Sequence, residues 1–205
     1  MIFNLNKQRG FSLVETLVAV SILLIVIVGP MSITSRTAKS ATFASEQVQA
    51  FFLAQEGVEL VQKARDDLVL GHFLPSGHAD YVSNPWSDFG PTGVYVDCYD
   101  SDEGCGLEWS ATNDGEFATV VDCGVTASTN CLLYKDTSSP GRSRFTYDDD
   151  SGTNDPTLFT RRIYLTANGT SDVKVVSEVT WRTGSIVANQ KVSVDTYLYN
   201  VYATP

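Results

Sequence analysis

The stretch Arg9-Gly10-Phe11-Ser12-Leu13-Val14-Glu15 stands directly before a run from Thr16 to Ser35 that carries no charge. A helix needs about 20 mainly apolar residues to cross the hydrocarbon core of a bilayer, and this Leu-, Ile- and Val-rich run supplies them. The segment can therefore span a membrane. Glu15 is out of place in that reading, because a carboxylate deep in a membrane helix costs roughly 2.5 to 3.5 kcal/mol on insertion scales, and less near the interface. It needs a cationic partner. Cutting the chain after Gly10 would create one, since the new amino group of Phe11 then stands one helical turn from Glu15 on the same face.

These residues resemble the type IV prepilin family, which includes the pseudopilins of type II secretion. The likeness rests on Lys7 and Arg9 in a short leader, Gly10 at its end, Phe11, Glu15 at the fifth mature position, and the apolar run Leu17 to Met31. The resemblance implies that a membrane aspartyl peptidase, the prepilin peptidase, cuts between Gly10 and Phe11 and N-methylates Phe11. It implies that Glu15 helps to dock each subunit beside its neighbour in a helical filament. It also implies a helix kink at Pro30, where Gly29-Pro30 can open the helix because proline removes a backbone donor. Two other readings compete. A secretory signal cleaved near Ala38-Lys39-Ser40 would have its site well beyond the apolar region, and a plain signal anchor would leave Glu15 incidental. Lys7 and Arg9 before the run are matched by Arg36 and Lys39 after it, so charge asymmetry does not orient the span; the cleavage motif does.

The 205 residues suffice for a long helix and one globular domain. Formal net charge is -10, and loss of Lys7 and Arg9 with the leader makes the mature chain more acidic still. No nucleic-acid partner is expected, since that needs a basic footprint. Cys98, Cys105, Cys123 and Cys131 all lie beyond the apolar run, and an even count outside the membrane reads as disulfides. Neither pair has the short spacing of a zinc knuckle or redox motif. Three connectivities are possible; Cys98 with Cys105 and Cys123 with Cys131 is favoured, because each closes a short loop.

After Pro30 the apolar residues Ala44, Val48, Phe51, Ala54, Val58, Val61, Ala64 and Leu68 recur at three- and four-residue steps, one helical stripe that continues to about Leu70. A helix from Phe11 to that point would be roughly 90 Å long at 1.5 Å per residue, too long for one small domain to bury. Its first half must be covered by lipid or neighbouring subunits, and its second half by the globular head. Leu53-Ala54-Gln55-Glu56-Gly57-Val58-Glu59-Leu60 resembles the corresponding helix of minor pilins and of one class of minor pseudopilins.

Gly71 to about Pro91 is rich in Gly, Pro, Ser and Asn and reads as the loop joining stem to head. Strand-like runs follow at Gly93 to Tyr99, Phe117 to Cys123, Leu132 to Lys135 and Arg144 to Tyr147. Leu158 to Thr166, Val173 to Trp181 and Lys191 to Val201, separated by Asn168-Gly169 and a loop near Gly184, predict an antiparallel meander. Val173, Val175, Val179 and Trp181 share one face by period two, and that face should cover the stem helix. The expected fold class is α+β and pilin-like: leader 1–10, transmembrane or filament-core helix 11–35, amphipathic helix 36–70, and a disulfide-containing β-rich head 71–205.

Catalysis finds little support. His72 and His78, the chain's two histidines, fall with Asp80 in the predicted loop and read as solvated residues; no Gly-rich phosphate loop or nucleophile elbow is present. No enzyme activity is expected. The metal candidate is the run Asp148 to Asp155, where Asp148, Asp150, Asn154 and Asp155 offer the clustered oxygens that calcium takes. Its EF-hand spacing is incomplete, and a solvated acidic turn is the competing reading; some pseudopilins bind calcium in their heads. No other cofactor is expected. Tyr197, Tyr199 and Tyr202 fit an adhesive or subunit-contact surface or simply the strand preference of aromatics. Asn168-Gly169-Thr170 fits a glycosylation sequon and also a hairpin turn, and the turn is expected.

The expectation is thus a minor pilin in the cytoplasmic membrane, single-pass with its head outside the cytoplasm, then part of an extracellular filament. Its partners would be other pilin or pseudopilin subunits, the prepilin peptidase, the inner-membrane assembly platform and the membrane. The alternatives are a minor pseudopilin of type II secretion or a DNA-uptake machine and, in a different class, a signal-anchored adhesin or binding protein.

Overall fold

The computed structural model describes residues 12–100, 102–109, 118–124, 131–138, 144–150, 152–184 and 188–201. The chain divides into two compact units, Met1–Ser45 and Glu46–Pro205. Helix α1, Leu13–His72, passes through both. Its start follows from an unbroken run of apolar residues with Glu15 in the first turn, where a carboxylate favours the positive end of the helix dipole.

The second unit is an antiparallel sheet packed on the α1 residues of the same unit. The strands are β1 (Cys105–Glu108), β2 (Thr119–Asp122), β3 (Leu132–Asp136), β4 (Phe145–Thr146), β5 (Asn154–Asn168), β6 (Asp172–Trp181) and β7 (Gln190–Tyr199). Strand β5 is the spine. Its Thr160 faces Leu132 of β3 on one side and Thr180 of β6 on the other, and its Ile163 lies between Cys105 of β1 and Ser177 of β6. Strands β5, β6 and β7 form the expected meander, with Gly169 at φ +72° in the first turn, a left-handed conformation that costs glycine little.

Side chains alternate in and out along β6, so Val173, Val175, Val179 and Trp181 are all buried. Val173 and Val175, together with Ile163, Leu165 and Leu198, share the core with Val58, Val61, Ala64 and Leu68 of α1. The stripe on α1 differs from the expected one at its N-terminal end. Ala50, Leu53, Ala54 and Gly57 are buried, whereas Ala44, Val48 and Phe51 are exposed. At Gly57 the sheet comes close: a Cβ there would run into Ser177 Oγ and lie 3.2 Å from Arg161 Cδ, so glycine faces the sheet at that point.

Three further corrections concern the head. Gly93 to Tyr99 is not a strand; Val96–Tyr99 is a 3-10 turn. The Cys98 N–H bonds back to Tyr95 O at 3.0 Å within the turn, and Cys98 is bonded to Cys105 with Cα atoms 4.6 Å apart. The segment Gly71 to Pro91 is not wholly loop, because Pro85–Phe89 forms a short helix, α2, with proline in its first turn and the Asn84 side chain accepting from the Ser87 N–H at 3.4 Å. Its Phe89 and the preceding Val82 are buried. Strand β1 was not expected at all. Its four residues include a cysteine and a glycine, and pairing with β2 and β5 supplies what local propensity does not. The second disulfide joins Cys123 to Cys131, as the short-loop pairing anticipates.

Candidate functional site: the assembly helix and its anchor in the head

In the first unit the apolar side chains from Leu13 to Ile33 are exposed among the described residues. Leu17 is 61% exposed and Ile25 75%, and the 18-residue apolar window is entirely unburied. By length and composition this part of α1 can cross a membrane. Its hydroxyls are compatible with hydrocarbon surroundings, because each of four bonds back to a carbonyl one turn earlier. Thr16 donates to Leu13 O at 2.8 Å, Ser21 to Leu17 O at 2.8 Å, Ser32 to Gly29 O at 2.9 Å and Thr34 to Pro30 O at 2.9 Å. Helix α1 continues through Pro30. Glu15 is exposed within the same apolar surface. The expected cleavage pair Gly10 and Phe11, together with Tyr202, lies outside the described residues.

The head grips its part of α1 through a buried cation that sequence reading did not single out. Arg161 takes an inward position on β5 and is 1% exposed. Its Nε donates to the Tyr147 hydroxyl at 2.8 Å, and its Nη1 donates to Glu56 Oε2 at 3.1 Å and to Leu53 O at 3.3 Å. The Tyr147 hydroxyl in turn donates to Arg161 O at 3.3 Å. Burial works against the guanidinium charge, but Tyr147 and Glu56 outweigh it and push the Arg161 pKa up; burial also pushes Tyr147 up. A cation here bonds the sheet to the helix backbone at Leu53 and to a helix carboxylate at once. The available signal was the alternation of β5, which places Arg161 on the same face as Phe159, Ile163 and Leu165. Nearer the N-terminal end of this contact Thr183 Oγ1 donates to the Glu46 carboxylate.

The acidic run folds on itself. Asp148 Oδ1 accepts from the Asp150 N–H at 3.1 Å, Asp150 Oδ1 from the Gly152 N–H at 3.0 Å, and Asn154 Nδ2 donates to Asp148 O at 3.1 Å. Asp155 stands opposite Lys135 in the β3–β5 register. Among the described residues no group of three His, Cys, Asp or Glu side chains is placed to hold a metal ion. His72 Nδ1 lies 2.9 Å from Val82 O, and His78 Nδ1 lies 3.5 Å from the Asp80 carboxylate. Tyr197 and Tyr199 are exposed on β7.

A long N-terminal helix, bare and apolar at its start and packed further along on an antiparallel sheet, is the pilin-like α+β architecture. Residues 5–29 match the family model described as the prokaryotic N-terminal methylation motif, the prepilin-type signal of type IV pilins and pseudopilins. The motif marks a pilin- or pseudopilin-like chain that is processed by prepilin peptidase and assembles with other such subunits. No curated protein and no solved structure matches the chain.

Proposed function

We propose that the chain is a minor pilin, a structural subunit of a type IV pilus or related filament. One observation carries this reading: in the sequence Gly10-Phe11 and Glu15 precede twenty residues free of charge, and the apolar side chains of that run are exposed among the described residues. Such a surface is stable only in lipid or against other apolar helices. Prepilin peptidase releases the leader after Gly10 and methylates the Phe11 amine, which then offsets the Glu15 carboxylate. The subunit waits in the cytoplasmic membrane with its disulfide-bonded head outside the cytoplasm, and the inner-membrane assembly platform moves it into the filament. Its part is structural rather than catalytic.

Mass spectrometry of the mature protein tests this reading. A chain beginning at methylated Phe11 is expected. An intact Met1, or a start near Ala41, would refute it. Gly10→Val should retain the leader, because the peptidase requires a very small residue at that position, and a normally processed mass in this variant would count equally against the assignment.

A further inference from the structure

A cavity of about 300 Å³ opens in the head where the C-terminal end of α1, the start of α2 and the C-terminal end of β7 meet. Phe73, Trp86 and Tyr199 line it together with Arg65, Asn84 and Asn200. Phe73 is 72% exposed and Tyr199 57%, aromatic area that the core does not use. Trp86 is held in place: its indole N–H donates to Thr170 O at 2.8 Å and its ring packs against Phe89 at 5.8 Å between centroids. The cavity therefore has one aromatic wall tied by a hydrogen bond and two that stand more exposed.

Of its polar groups Arg65 donates only, while His72, Ser83, Asn84 and Asn200 can each donate or accept. Arg65 Nε is 2.6 Å from the Asp66 carboxylate, which leaves the two Nη groups of a fork that suits a second carboxylate. Asn84 uses its Oδ1 as the cap of α2, while its Nδ2 makes no hydrogen bond among the described residues. No Asp or Glu lines the cavity, although the chain carries a net charge of -10. Flat apolar walls with a few convergent polar groups define a small-ligand site.

The chemistry of the lining narrows the ligand. A wholly apolar guest would cover Trp86 but leave the Arg65 Nη groups unused. A phosphate would use the guanidinium already shared with Asp66 and leave the Trp86 ring uncovered. A pyranose presents C–H groups on one face, which stack on an indole, and hydroxyls at its rim, which take amide donors. A carboxylate on that ring would use the guanidinium fork. We propose that this cavity binds a carboxylate-bearing pyranose, the uronic acid residue of an acidic polysaccharide, with Trp86 against the ring and Arg65 at the carboxylate.

The test uses the full-length protein labelled with 5-fluorotryptophan in micelles of a detergent without a sugar headgroup, read by fluorine NMR. Trp86→Phe assigns the Trp86 resonance. Glucuronate should move that resonance with a Kd of about 1 mM while Trp109 and Trp181 stay in place, and an oligogalacturonate should bind at least as tightly. Glucose should bind about 10-fold more weakly, and Arg65→Gln should reduce glucuronate to the level of glucose. Unshifted Trp109 and Trp181 resonances establish that this variant is folded. The proposal is overturned by a Trp86 resonance that no sugar moves, by an equal response to acetate, by undiminished glucuronate binding in Arg65→Gln, or by binding of the monosaccharide with exclusion of the oligomer.

Discussion

Replacing Arg161 probes the joint between sheet and helix most directly. Its side chain is 2% exposed, while that of its partner Glu56 is 44% exposed. Breaking a fully buried ion pair costs about 3 to 5 kcal/mol, chiefly through the charge left behind. Here the two halves are unequal. In Arg161→Ala the surviving carboxylate already reaches water and contributes little penalty, but the Tyr147 hydroxyl loses a donor and a long buried stem becomes a cavity, so a loss of about 3 kcal/mol is expected. In Glu56→Ala the cation remains, with the Tyr147 hydroxyl and Leu53 O as acceptors and water able to enter where the carboxylate stood; about 1 to 2 kcal/mol is expected. Arg161→Met keeps most of the stem volume and should cost at least 1 kcal/mol less than Arg161→Ala. Urea unfolding of full-length protein in micelles, disulfides intact and followed by tryptophan fluorescence, measures all three. An Arg161→Ala protein within 1 kcal/mol of wild type, or Arg161→Met as damaging as Arg161→Ala, would refute the view that this side chain holds the sheet to the helix.

Glu15→Val leaves the Phe11 amine unpaired but the Gly10 junction intact, so the variant should be inserted and cleaved yet recovered poorly in sheared filaments; wild-type recovery would exclude a docking role. Replacing Cys98 and Cys105 together by serine should lower stability by roughly 2 to 3 kcal/mol through the entropy of the closed loop, measured by the same urea unfolding, and non-reducing peptide mapping of wild type should yield no Cys98–Cys131 peptide. The Asp100 carboxylate accepts the N–H groups of Asp102 at 2.7 Å and Glu103 at 3.1 Å, which lower its pKa. Its contribution is therefore present above the ordinary aspartate value of about 3.9 and is lost as pH falls through the lower folded value; carboxyl NMR that placed its titration at or above 3.9 would contradict this.

Much of the fold was legible because it repeats. Alternation along β6 and the apolar periodicity of α1 from Ala54 to Leu68 persist long enough for period to override local preference. The features that escaped depend on partners distant in sequence. Strand β1 exists through its neighbours, the 3-10 turn at Val96 holds a cysteine bonded to Cys105, and the inward position of Gly57 meets a serine and an arginine on the sheet. The N-terminal methylation motif matched at residues 5–29 was readable for the opposite reason: its pattern is local, with basic residue, glycine, aromatic and acid in one short stretch. Arg161 was not, since a lone arginine in a strand announces itself only when both faces of that strand are assigned.

The hydroxyls of Thr16, Ser21, Ser32 and Thr34 spend their donors on their own helix. They therefore ask nothing of the surroundings, and exchanging acyl chains for the side chains of adjacent helices would neither break nor make a hydrogen bond at any of them. For these groups the two environments are nearly interchangeable solvents, and the transfer between them is close to isoenergetic and reversible. Glu15 is the exception on this surface, a charge that does distinguish one medium from the other. In the assembly proposed above, the difference between lipid and neighbouring helices would therefore be felt at a single carboxylate.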